Sequence, residues 1–64
     1  MNDSSIFDER GAAALLGCST ALMRKWRLFR MGPAYIKVGR LVRYLQADID
    51  AFLDAHRVET NGAL

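Results

Sequence analysis

The triplet Met31-Gly32-Pro33 divides this chain into two kinds of structure. Glycine takes the left-handed step that ends a helix, and proline lacks the N–H that a helix interior or a central strand needs. No regular element runs through this point. Before it the apolar residues recur with a helical period of 3.6, and after it they alternate with a period of 2.

Upstream, the stretch from Ser19 to Arg30 places Leu22, Trp26 and Phe29 at i, i+4 and i+7, bordered by Met23. This predicts a helix with one apolar face, capped by the hydroxyl of Ser19 or Thr20. At about 100° per residue, Thr20, Ala21, Arg24, Arg27 and Leu28 point away from that face, with Lys25 on its flank. An earlier helix is expected from Glu9 to Leu16, with Asp8 as its cap and Ala12, Ala13, Leu15 and Leu16 packing. Ile6 or Phe7 acts as a staple in front of it. Gly11 costs about 1 kcal/mol against alanine, so this helix depends on tertiary contacts. Gly17-Cys18-Ser19 joins the two, and a glycine-containing turn between short helices is the helix-turn-helix pattern.

Downstream, Ile36 and Val38 flank Lys37, Val42 and Tyr44 flank Arg43, and Gly39 lies between, which predicts a β-hairpin. A two-residue Gly39-Arg40 loop pairs Val38 with Leu41 and splits the four apolar residues across both faces. A three-residue Gly39-Arg40-Leu41 loop pairs Val38 with Val42 and Ile36 with Tyr44 on one buried face. The second register is the expected one. It sets Lys37 opposite Arg43 on the outer face, with Arg40 at the tip. Like charges so placed destabilise a ladder unless something anionic lies against them. A third helix, Gln46 to His56, carries the stripe Ile49, Phe52, Leu53 and His56, and Asp48 and Asp50 complement its N-terminus. Residues 1–5 read as a polar lead, 6–57 as a single domain and 58–64 as a frayed tail.

The net charge of +2 conceals a segregation. Arg10, Arg24, Lys25, Arg27, Arg30, Lys37, Arg40 and Arg43 lie between residues 10 and 47, a span without Asp or Glu. The seven acids lie outside it, and those of the third helix form a face turned away from any polyanion. A basic middle of this kind is the footprint of a polyanionic partner. With 64 residues there is little room for a deep catalytic pocket. No nucleophile–base pair, metal-ligand cluster or glycine-rich phosphate loop occurs, so no catalytic residue, metal or cofactor is expected. Cys18 is the single cysteine and excludes an internal disulfide. No apolar run approaches the roughly 20 residues of a membrane span, and Met1-Asn2-Asp3-Ser4-Ser5 is not a basic signal-peptide opening. A cytoplasmic protein without membrane partners is expected.

The order of these motifs is that of a compact winged helix-turn-helix, α-α-β-β-α. Ala12-Ala13-x-Leu15-Leu16-Gly17, Ser19, Leu22, Arg24-Lys25-Trp26-Arg27 and Gly32-Pro33 make up its first half. Ile36-Lys37-Val38-Gly39-Arg40-x-Val42-Arg43-Tyr44 and Asp48-Ile49-x-Ala51-Phe52-Leu53 make up its second. In this set, covering residues 6 to 56, the chain resembles the short MerR-like excisionases and AlpA-type phage regulators. It departs from them at Gly11, where an acid is usual, at Leu41, where a basic residue is usual, and at Phe52, where tryptophan is common.

The resemblance implies that the helix around Ser19 to Arg27 enters the major groove of DNA and that the hairpin tip at Arg40 reaches the adjacent minor groove or backbone. The residues agree with that division. Thr20, Ala21 and Arg24 are placed for base edges, Arg24 with a bidentate contact to guanine. Lys25, Arg27, Lys37, Arg40 and Arg43 are cast as phosphate contacts, with Arg30 and Arg10 as further backbone contacts. Trp26 fits a core anchor better than a base-stacking residue. The implied function is sequence-specific binding of double-stranded DNA in a phage or mobile element. The chain would act as an excisionase that bends DNA beside an integrase, as a small transcriptional regulator, or as both, with further copies on adjacent sites. The alternative is a protein-interaction module on the same scaffold. Acids on the helix front or wing would favour it, and the sequence has none there.

Overall fold

The computed structural model describes residues 5–60; the lead at 1–4 and the end of the tail at 61–64 lie outside the described residues. The elements are β1 (Ile6–Phe7), α1 (Glu9–Leu16), α2 (Thr20–Leu28), β2 (Ile36–Val38), β3 (Leu41–Leu45) and α3 (Gln46–Ala55). This is the winged-helix layout with one strand added in front of it. The local signals account for the first two helices. The Gly11 amide donates to Asp8 Oδ1 at 2.8 Å, and the Leu22 amide donates to Ser19 Oγ at 3.1 Å. Gly17 takes the left-handed conformation that ends α1. Helix α3 has no side-chain cap. Its first amide, that of Gln46, instead donates to the Ser5 carbonyl at 3.0 Å, so the chain entering β1 holds the start of α3.

Ala12, Ala13, Met23, Tyr44 and Ile49 are buried, ringed by Phe7, Leu16, Cys18, Trp26 and Val42. Two adjacent alanines let the neighbouring elements approach α1 closely, where larger side chains would hold them apart. Leu15, expected to pack, is exposed on the far side of α1, and Leu53 is likewise exposed on α3. Trp26 packs on Phe52 with ring centroids 5.4 Å apart, and Phe52 packs on His56 at 4.2 Å. These contacts join the end of α2 to α3.

The sheet order is β1-β3-β2, all antiparallel. Strand β1 pairs Ile6 with Leu45 and Phe7 with Tyr44. The hairpin register differs from the expected one. Val38 pairs with Leu41, Lys37 with Val42 and Ile36 with Arg43, so the loop is the two-residue Gly39-Arg40. Gly39 has φ +60° and Arg40 does not take a positive φ, which matches a type II′ turn with glycine in the first central position. Such a turn follows the twist of the strands, and that preference outweighs gathering the apolar residues on one face.

The consequence is a sheet that is apolar on both sides. Phe7, Val42 and Tyr44 face the helices, whereas Ile6, Ile36, Val38 and Leu41 project outward and are exposed. Lys37 therefore stands opposite Val42 and not opposite Arg43.

Helix α2 is turned from its expected orientation by roughly a quarter of a turn at 100° per residue. Met23 is its buried anchor at 1 % exposure, while Phe29 is 60 % exposed. Arg27 swings into the protein, and Ala21, Arg24, Lys25 and Leu28 face outward. The helix ends in a Schellman motif, with the Met31 amide donating to the Trp26 carbonyl at 2.7 Å and the Arg30 amide to that of Arg27 at 3.2 Å. The left-handed residue of this motif is Arg30, with φ +57°. A non-glycine residue there costs about 1–2 kcal/mol. Arg30→Gly is accordingly expected to stabilise the fold by about 1 kcal/mol, after glycine's greater freedom in the unfolded chain is offset. Urea unfolding checks this as a raised midpoint at unchanged slope.

Candidate nucleic-acid interface

The site is built from α2, the turn after it and the hairpin. Arg24, Arg27, Arg30 and Lys37 line one groove, floored by Pro33 and Tyr35. Lys37 reaches this groove because the observed register places it on the α2 side of the hairpin. Arg10, Arg27, Arg40 and Arg43 border a second, smaller hollow together with Asp8 and Glu9. Five of the expected DNA-contacting residues, Arg24, Arg27, Lys37, Arg40 and Arg43, line these two hollows, with Arg27 lining both, whereas Ser19, Thr20, Ala21 and Lys25 line neither.

At the head of α2, Ser19 caps the helix through its side chain, Thr20 is half-buried and Ala21 is exposed. Lys25 stands exposed on the outer face, and Arg40 is exposed at the hairpin tip. The Arg43 guanidinium donates to the Val42 carbonyl at 2.8 Å, so it folds back along its own strand.

The two arginines of α2 differ sharply. Arg24 is 65 % exposed and Arg27 only 20 %. Arg27 Nη1 donates to the Tyr44 hydroxyl at 2.9 Å, and Nη2 donates to Glu9 Oε1 at 2.8 Å. Its guanidinium lies over the Tyr35 ring, 5.9 Å from the centroid, within the range of a cation–π contact. Burial works against its charge, but the hydrogen bonds to Tyr44 and Glu9 outweigh that and hold its pKa above the ordinary arginine value. Arg24 meets the same carboxylate from the other side, its Nε donating to Glu9 Oε2 at 3.1 Å.

Glu9, Tyr44 and Tyr35 are the members of this site that the sequence reading missed. Glu9 lies 15 and 18 residues from its partners, so no local spacing signals the pairing. It also lies one residue before the acid-free span begins, and folding returns it to the basic surface. No family model and no curated protein matches this chain.

Proposed function

We propose that this chain is a sequence-specific reader of double-stranded DNA. The outer face of α2 lies in the major groove, and the hairpin lies along the flanking backbone. The observation that carries this reading is the meeting of Arg24, Arg30 and Lys37, from a helix, a turn and a strand, around one groove beside an exposed helix face. A helix of this size fits the major groove, and cations on either side of it fit the phosphates that border the groove. The resemblance to excisionases and AlpA-type regulators supports a role in a phage or mobile element, as a recombination directionality factor, a transcriptional regulator or both. Double-stranded DNA is then the principal partner, with an integrase and further copies on adjacent sites as protein partners. One small domain buries too little surface for tight binding alone. Among the described residues no helix is long and apolar enough to cross a membrane.

The assignment is tested by paired substitution. Arg24→Ala is expected to relax base preference, at a cost of about 1–3 kcal/mol on the preferred site. Lys37→Ala is expected to weaken all sequences alike and to shallow the salt dependence by about one unit. Binding isotherms on matched duplexes check both. Identical behaviour of the two variants would remove the division between specifying and positioning residues.

One observation favours a second reading, a protein-interaction module. The outer sheet face presents Val38 and Leu41 to solvent as a cross-strand pair, with Ile36 beside them on β2 and Ile6 exposed on β1. Contiguous apolar surface of this kind marks protein contacts. Weakened DNA binding in Arg24→Ala and Lys37→Ala supports the first reading, and absence of DNA binding in the unaltered chain supports the second.

A further inference from the structure

Glu9 is an anomaly on a surface read as binding a polyanion. A carboxylate beside phosphates is repulsive, so its place between two arginines calls for a job that outweighs the repulsion. The geometry points to one. We propose that Glu9 is a specificity-determining positioning residue that aims Arg24 at a base edge, with Arg27 as the strut that fixes Glu9. This rests on the DNA-reading function proposed above.

The argument runs outward from the core. Tyr44 is buried at the centre of the sheet, and its hydroxyl accepts from Arg27 Nη1. Arg27 Nη2 donates to Glu9 Oε1, and Glu9 Oε2 accepts from Arg24 Nε. Each link is a single hydrogen bond, and three of them connect the buried core to an exposed side chain. Both terminal nitrogens of Arg27 are engaged and its side chain is only 20 % exposed, so its part is to hold the site together. Arg24 is engaged only at Nε, and neither of its terminal nitrogens has a protein partner among the described residues. That leaves the end of its guanidinium free to donate two parallel hydrogen bonds. This is the pattern that guanine accepts through O6 and N7 in the major groove. A free arginine loses considerable rotamer freedom on making such a contact, and Glu9 removes part of that loss in advance.

The proposal makes affinity and specificity move in opposite directions, which a merely structural role does not. Glu9→Gln keeps the shape and removes the charge. Its affinity for a random-sequence duplex pool should rise, because a repulsive charge is gone. Its guanine preference at the position read by Arg24 should fall by at least about fivefold, toward the bottom of what a bidentate contact supplies.

The experiment uses the full chain and a duplex library randomised over the binding site, sequenced after one round of capture, with pool affinity measured by anisotropy. Arg24→Ala identifies the position, as the one where guanine enrichment disappears. Tyr44→Phe serves as a second variant. It removes one link far from the DNA and leaves the net charge unchanged, so it should weaken guanine enrichment there without altering the salt dependence. Full wild-type guanine enrichment in both Glu9→Gln and Tyr44→Phe, with DNA binding intact, overturns this inference alone. Failure of the unaltered chain to capture the pool at low salt overturns the DNA-reading function and this inference with it.

Discussion

Gly32→Ala is expected to remove about half of the stability of this fold. Two effects add at this position. Gly32 has φ +82°, a conformation that costs a residue with a Cβ about 1–2 kcal/mol. A Cβ built there also stands 2.8 Å from Trp26 Cε3 and 3.0 Å from Trp26 Cβ, well inside contact distance. The indole cannot withdraw freely, because it packs against Phe52 of α3. Overpacking of this kind costs about 1–3 kcal/mol more. The sum, about 2–5 kcal/mol, compares with about 3–10 kcal/mol for a whole domain of this length. Gly17→Ala is the control. Its φ of +70° is similar, but nothing lies within 4 Å of the added carbon, so only the conformational cost remains. Thermal unfolding followed by circular dichroism should show Gly32→Ala melting at least about 10 °C below the unaltered protein, and Gly17→Ala falling between them. Equal melting temperatures for the two variants would mean that the Trp26 contact carries no weight.

Met23→Ala and Phe29→Ala form the second test, directed at the rotation of α2. Met23 is buried among Ala12, Ala13, Tyr44 and Ile49, so its truncation leaves a cavity in the centre of the core. The expected cost is about 2–5 kcal/mol. Phe29 lies mostly in solvent, so its truncation should fall within about 0.5 kcal/mol of no effect. The helical stripe Leu22, Trp26 and Phe29 predicts the reverse ranking. Urea midpoints of the two variants separate the alternatives, and a large loss in Phe29→Ala with little in Met23→Ala would return the helix to its sequence-expected orientation.

That reversal shows where sequence stopped being informative. The ends of α1 and the start of α2 were legible because caps are local chemistry: Asp8, Gly17 and Ser19 act on amides or carbonyls a few residues away. The rotation of α2 was not legible, because Trp26 belongs equally to a stripe with Leu22 and Phe29 and to one with Met23. Choosing the second turns Arg27 inward, which its charge forbids unless a partner is supplied. Glu9 supplies it from 18 residues away, and Tyr44 adds a hydroxyl from 17. The hairpin itself was legible, but its register was not, for a different reason. Its apolar residues alternate in a way compatible with both registers, and the glycine-first II′ turn decided between them. Strand β1 is two residues long, too short to show any period. For the candidate site, the basic residues were legible as a set from charge alone. Their separation into an engaged Arg27 and a free-ended Arg24 belongs to tertiary structure.

Fluorescence anisotropy on a mixed-sequence duplex across a salt series tests the central claim most directly. With Lys25, Arg30, Lys37 and Arg40 meeting phosphates and Arg24 a base edge, log K should fall against log salt with a slope of about −3.6, at 0.9 per phosphate neutralised. A slope of that size identifies the α2–hairpin surface as a polyanion-binding face and licenses the search for its site. No binding at low salt, or binding indifferent to salt, would contradict the account and leave the exposed outer face of the sheet as the functional surface.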